Sequence, residues 1–247
     1  MTTLLIELAG PQQSWGSASR FARRSTEIAP TKSGVIGLIA AALGLERTAD
    51  LSRFSDIRFG VRIDQPGVVE RDFHTARSRD GQSFPLSNRY YLADAVFVAA
   101  IDTDPASAEE FAVALRAPQY PLFLGRRAFP PAGPLRTSIF DDALERALES
   151  EPWRAREHHR KRTPGPVVTL EVLRDAAPDE TPHLSLRDVP VSFDPRRRLH
   201  ASRDVVQTTV SLPHPDPAPT RSSHPASPLL GSATDHDPGV LLTDEEV

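Results

Sequence analysis

No cysteine occurs among the 247 residues, which removes disulfides and thiolate metal sites together and fits a reducing compartment. Membrane-length apolar runs are missing too. The uncharged stretch from Val35 to Leu45 is eleven residues long, where a bilayer takes about 20. Thr2 to Ala9 is too short and too acidic for a signal peptide, so a soluble, cytoplasmic protein without a membrane partner is expected. Zinc spacing is absent: His158 and His159 are adjacent, the tail histidines are scattered, and no metal or other cofactor is expected. There is no internal repeat. A nucleotide-binding P-loop fails at two positions, because Thr31 and Thr26 stand where the pattern before Lys32-Ser33 requires glycine.

The net charge of -4 looks wrong for a nucleic-acid binder, but it is unevenly spread. Residues 213 to 247 hold one Arg against six Asp or Glu, a net of -5, which leaves +1 for residues 1 to 212. Seven prolines in that 35-residue segment predict a disordered acidic tail. The whole-chain isoelectric point therefore says little about the body.

Pro30 to Leu45, PTKSGVIGLIAAALGL, joins a polar turn to an apolar segment buried on most sides. Thr31 suits the N-cap, Pro30 blocks backward extension, and Gly44 sits where the last turn closes. Free backbone N–H groups near Ser33 and Gly34, the helix dipole and Lys32 together form an expected anion seat. The competing reading is a capped core helix with a solvated Lys32.

Thr3 to Ala9 reads as a first strand ending in GPQQSWG, Gly10 to Gly16. Its Trp15 either caps the core or offers a surface for base stacking. Arg20, Arg23 and Arg24 follow in a basic loop. Ile57 to Ile63 alternates as a second strand. From Val68 a charged excursion carries Arg71, His74, Arg77, Arg79 and Arg89 around a polar tip at Asp80 to Ser83, with little to bury. Tyr90 to Ile101 reads as the third strand, Pro105 to Arg116 as a helix capped by Asp104, and Tyr120 to Leu124 as a short fourth strand ending in Gly125-Arg126-Arg127. The order is the split βαβ, ferredoxin-like arrangement also used by RNA-recognition domains. Further on, Asp141 to Glu149 is amphipathic, and Arg154 to Arg162 is a charge run read as a solvated loop. Val167 to Leu173 and Val205 to Leu212 suggest a second, smaller sheet, with PRRRLHASR at Pro195 to Arg203 between them. The expected fold class is α+β: residues 1–127 as a ferredoxin-like domain with a hairpin at about 71–89, 128–212 as a β-rich subdomain, and 213–247 as a tail.

Taken together, GPQQSWG, PTKSGVIGLIAAALG, RDFHT at Arg71 to Thr75, YYLADAVF at Tyr90 to Phe97, LGRR at Leu124 to Arg127 and ASR at Ala201 to Arg203 resemble the CRISPR-associated RAMP superfamily. The likeness is to CasD-type subunits of type I-E Cascade complexes and covers about residues 3 to 210. It implies a body and a protruding thumb hairpin that together cap the 5′ handle of a CRISPR guide RNA. It also implies contacts to the backbone subunit CasC and the large subunit CasA, with target DNA met only in the assembled complex. The expected RNA-binding set is Gln13, Trp15, Arg24, Lys32, Ser33, Gly34, Arg71, His74, Tyr90, Arg126, Arg127 and Arg203. Phosphates require cations and backbone donors, and unstacked bases require aromatic faces.

Some RAMP relatives cut repeat RNA without metal, using His, Tyr or Lys to move a 2′-hydroxyl proton. His74, Tyr90, Tyr91 and Lys32 are candidates for that alternative, a repeat endoribonuclease, but no sequence partner makes an acid–base pair evident. No catalytic residue is therefore assigned. A scaffold that never touches RNA is the third possibility.

Overall fold

The computed structural model describes residues 2–16 and 23–216. Arg20 and the tail from 217 onward lie outside the described residues. Strands β1 (Thr2–Ala9), β4 (Arg58–Gln65), β7 (Val96–Thr103), β8 (Thr137–Phe140), β9 (Val167–Asp175), β10 (Leu184–Ser192) and β11 (Leu199–Pro213) form one seven-stranded sheet in the order β10-β11-β9-β4-β7-β1-β8, antiparallel throughout. A second, four-stranded sheet holds β2 (Gln12–Gln13), β3 (Arg23–Arg24), β5 (Val68–His74) and β6 (Ser87–Ala93).

Period-two alternation divides the large sheet between two cores. Leu4, Ile6, Leu8, Phe97, Ala99 and Ile101 pack on helices α1 (Lys32–Ala42) and α2 (Pro105–Arg116). Leu5, Val98 and Ala100 face the other way, onto α3 (Leu144–Ser150), Trp153 and the strands β9 and β11. Strands β1 and β7 are covered on both faces, which is why they read as nearly unbroken apolar runs. The buried Arg62 on the second-core face has every donor placed, whereas the Asp102 carboxylate on the same face has no hydrogen-bond partner and only Arg58 at 3.6 Å. Arg62 is 0% exposed, grips Asp64 through two N–H groups at 2.7 and 2.9 Å, and gives its others to the carbonyls of Leu148, Glu151 and Pro152.

Both long helices start and stop where local chemistry predicts. Thr31 accepts the Gly34 N–H at 3.2 Å and Gly44 adopts φ +75 beyond the last turn of α1. Asp104 caps α2 through the Ser107 N–H at 2.9 Å, with Pro105 at its first position.

Five expectations need correction. Tyr90 to Ile101 is not one strand: Asp94, at φ 56, breaks it into β6 and β7 and sends them to different sheets. Gln65 and His158 hold the Asp94 carboxylate at 2.8 and 2.7 Å, fixing that break. Tyr120 to Leu124 is irregular, and the strand beside β1 is β8 instead. The C-terminal strands form no separate sheet, because β9 pairs with β4 from Gly60↔Arg174 to Arg62↔Val172. Finally, the ordered body runs past Pro213: Pro213 pairs with Val167, and the buried His214 faces the Arg160 carbonyl at 3.0 Å. The Arg154 to Arg162 run is likewise structured, with a short helix α4 (Glu157–Arg160) inside it.

The turn after Leu124 is fixed by close approach. Ser14 donates its N–H to the Leu124 carbonyl at 3.1 Å, and Gly125 sits at φ +87 with a would-be Cβ only 1.8 Å from the Ser14 oxygen. Gly125→Ala is therefore expected to cost at least about 2 kcal/mol. Gly133→Ala, where nothing lies within 4 Å of the added carbon, should stay within about 0.5 kcal/mol. Urea denaturation of the two variants checks the contrast; equal midpoints would contradict it.

Candidate nucleic-acid interface

The anion seat expected at the start of α1 is occupied by the protein itself. The Lys32 N–H donates to Asp188 Oδ2 at 2.8 Å, so a carboxylate of β10 sits where a phosphate oxygen was expected. Lys32 Nζ turns inward, donating to the Ile57 carbonyl at 2.5 Å and to Asp175 Oδ2 at 3.0 Å. Arg203 joins both acids, with Nε and Nη2 on Asp188 at 2.7 and 3.1 Å, Nη1 on Asp175 at 2.7 Å, and its guanidinium over Phe59. Burial pulls the Arg203 pKa down, but Asp188 and Asp175 more than offset this and hold it above the ordinary arginine value. Two cations and two carboxylates thus form a closed, buried network that clamps β9, β10 and β11 onto α1.

Trp15 is 1% exposed and lies against Gly34, where an added Cβ would meet its ring at 2.8 Å. Its indole N–H donates to Gln13 Oε1 at 3.1 Å, and the Gln13 amide reaches the Leu8 and Ala95 carbonyls at 3.0 and 2.9 Å. Glycine at 34 is needed to admit tryptophan, not to admit a phosphate. Gln13, Trp15, Lys32 and Arg203 are accordingly corrected from RNA ligands to core and clamp residues, while Ser33 is buried and Gly34 half-buried at the helix start beneath them.

The other six expected residues are accessible, and two of them, Arg24 and Arg126, gather with Arg89. Arg24 on β3 lies beside Arg89 on β6 in register. Arg126, carried by the rigid Gly125 turn, donates Nη2 to the Arg24 carbonyl at 3.1 Å. Burial, then the charges of Arg89 and Arg24, push the Arg126 pKa below the ordinary arginine value. Arg89 Nε is buried without a hydrogen-bond partner, and among the described residues none of the three has an ion-pair partner. Like charges side by side are unfavourable unless something neutralises them. Aromatic rings adjoin the cluster: Arg126 stacks over Phe129 at 5.8 Å, and Tyr91 lies 5.5 Å from Phe129. Arg127 is exposed on the same turn.

Arg71 and His74 stand exposed on the β5–β6 hairpin, with Tyr90 half-buried opposite Arg71. The hairpin is less polar than its sequence suggests, since Val68, Val69, Phe73, Phe84 and Leu86 are all exposed on it. Its register separates the nuclease candidates. Directly opposed residues share a face, so His74 goes with Ser87, Arg89 and Tyr91, whereas Tyr90 goes with Arg71 on the other side. His74 Nε2 pairs with Asp72 at 2.8 Å. Tyr91 is held by Glu70, whose hydrogen bond raises its pKa and keeps the phenol protonated. Lys32 is buried elsewhere. The four groups do not converge on one point.

Arg89, Phe129 and Asp188 were not singled out from the sequence. Arg89 was hidden among the charges of the hairpin, although its place one residue before the Tyr90-Tyr91 pair put it at the hairpin's root. Asp188 lies in a strand that carries Arg187 and Pro190, so no alternation marked it.

Residues 3–206 match the family described as CRISPR-associated protein (Cas_Cas5), and the chain belongs to that family. It is 33% identical over 172 residues to the CRISPR system Cascade subunit CasD of Escherichia coli (strain K12), a match covering 60% of this chain and 77% of that one. Among solved structures, a chain of a CRISPR RNA-guided surveillance complex superposes with a TM-score of 0.69 at 32% identity, covering 85% of this chain and 91% of the other. A crystal structure of a Cas protein gives a TM-score of 0.65 at 35% identity, over 86% and 95% of the two chains.

The clamp and the cluster respond oppositely to loss of charge. Lys32→Glu, which sets a third carboxylate beside Asp175 and Asp188, is expected to prevent folding, and Arg203→Ala to cost about 3–5 kcal/mol by leaving buried charge uncompensated. Arg126→Gln should leave the denaturation midpoint unchanged or raise it at low salt, because it relieves repulsion. Thermal melts at low and high ionic strength test this, and destabilisation by Arg126→Gln would show the cluster to be structural.

Proposed function

We propose that this protein is a non-catalytic, guide-RNA-binding subunit of a type I-E Cascade surveillance complex. It caps the 5′ handle and links the backbone and large subunits in antiviral defence in the cytoplasm. The observation that carries the reading is the unneutralised cluster of Arg24, Arg89 and Arg126 beside Phe129 and Tyr91. Guanidinium groups with no ion-pair partner among the described residues, held on a rigid turn beside the half-buried Tyr91, suit the phosphates and a splayed base of a single-stranded RNA end, with Phe129 buried beneath Arg126. The family and the Cascade subunit among its relatives supply the context.

In this reading the β5–β6 hairpin is the thumb. Arg71 and Tyr90 face the RNA from one side, His74 supplies a polar contact from the other, and Arg127 extends the basic turn. Exposed Val68, Val69, Phe73, Phe84 and Leu86 suit a protein partner better than solvent, and CasC is the partner proposed for them. CasA binds elsewhere on the body, and target DNA enters through the assembled complex. The scattering of His74, Tyr90, Tyr91 and Lys32 disfavours the repeat-endoribonuclease alternative.

Reconstitution with guide RNA and partner subunits tests the proposal. The double variant Arg89→Ala/Arg126→Ala should retain the fold, weaken capture of a labelled 5′ handle at least about 10-fold, and lower the slope of log K against log salt by about 0.7 for each phosphate no longer held. Labelled repeat RNA should remain uncut by wild type and by His74→Ala alike. A discrete product that disappears with His74→Ala would establish the nuclease, and unchanged handle capture by the double variant would remove the cluster from the interface.

A further inference from the structure

A second basic surface lies at the far edge of the large sheet. β10 is an edge strand, and its turn into β11 carries Arg196, Arg197 and Arg198, all exposed. The register of β10 against β11 slips between Leu186 and Val189, so Arg187 and Asp188 occupy a bulge. A bulge breaks strict alternation and re-aims side chains. Here it sends Asp188 inward to the clamp and leaves Arg187 exposed, with Nε on the His200 carbonyl at 3.1 Å. The four arginines form no ion pair among the described residues. Of the carboxylates nearest in sequence, Asp188 is committed to Arg203 and Lys32, and Asp194, which accepts the Arg196 backbone N–H at 2.8 Å, makes no ion pair with the four guanidinium groups. Half-buried His200, its pKa lowered by burial and then by Arg198, lies among the same charges.

We propose that Arg187, Arg196, Arg197 and Arg198 form a second nucleic-acid surface that holds the phosphate backbone of a duplex without reading its sequence. Aromatic content distinguishes it from the cluster at Arg24, Arg89 and Arg126. Phe193, the aromatic residue of this turn, is half-buried and directed at Gly37 of α1, 3.5 Å from where a side chain there would begin. Without an exposed ring, unstacked bases gain nothing here, whereas regularly spaced phosphates meet consecutive guanidinium groups. The exposed apolar side chains at this edge, Val191 and Leu199, lie singly. The surface is independent of guide-RNA capture, because it sits on the large sheet while the handle cluster sits on the small sheet and the Gly125 turn.

The test uses the full chain and a triple variant, Arg196→Ser/Arg197→Ser/Arg198→Ser, whose changes fall on an exposed turn and should leave the melting temperature unchanged. Fluorescence anisotropy over a salt series would measure binding of a duplex DNA, a duplex RNA of the same sequence, a scrambled duplex and a single strand. Wild type should bind duplexes at low salt regardless of sequence. The triple variant should bind at least about 10-fold more weakly, with a log–log salt slope smaller by up to about 2.7, or about 0.9 per phosphate neutralised. Equal losses on DNA and RNA would identify the shared backbone as ligand, and loss on one alone would assign the source. Duplex binding unchanged in the triple variant, or a stronger loss on single strands, overturns the proposal. Duplex binding abolished instead by Arg89→Ala/Arg126→Ala would place all nucleic-acid contact at the handle cluster and refute a second surface.

Discussion

The carboxylate of Asp188 on the first amide of α1 is the contact from which the rest of the arrangement follows. A buried anion at a helix N-terminus needs compensation beyond one dipole, and Arg203 and Lys32 supply it, drawing in Asp175 as the balancing charge. Because Asp188 comes from β10, Arg203 from β11 and Asp175 from β9, the seat of the helix is built in part from the C-terminal strands. This explains why those strands extend the large sheet instead of forming a subdomain of their own. The blocks around Lys32 and Arg203 are thus two ends of one interior network.

With the helix terminus closed, positive charge that must face outward collects elsewhere. At β3, β6 and the Gly125 turn, backbone pairing sets Arg24 and Arg89 side by side, and a glycine that tolerates no side chain delivers Arg126 to them. No carboxylate lies within ion-pair distance of the three among the described residues, and the nearest by register, Asp72 opposite Arg89, is paired with His74 instead, so the arrangement costs stability in isolation. A fold retains such opposition where a ligand removes it, and the adjoining rings give that ligand a second chemistry.

The sequence disclosed the parts governed by local rules. Both long helices were legible to within a residue or two from Thr31, Gly44, Asp104 and Pro105, and β1 and β4 from their residue patterns. Legibility failed where a long-range partner decided the outcome. Tyr90 to Ile101 is apolar apart from Asp94, and one acidic residue in such a run does not by itself show that it will turn left-handed and divide the strand. Lys32 beside a glycine looks the same in a phosphate seat and in a buried ion pair, and only the distant Asp175 and Asp188 distinguish them. Trp15 is comparable: its fate depends on the absence of a side chain at Gly34, across a loop. The hairpin's apolar residues were visible individually, but their shared exposure was not.

The division at Asp94 has a mechanical consequence. β7 is anchored at the centre of the body, while β6, its immediate continuation in sequence, carries the projecting hairpin, so the two meet at a single fulcrum. Gln65 on one side and His158 and Arg156 on the other brace that fulcrum through the same carboxylate. A load applied along the hairpin by anything bound to it therefore reaches the body through this side chain and its three braces, together with the short β4–β5 connection and the pairing of β2 with β6.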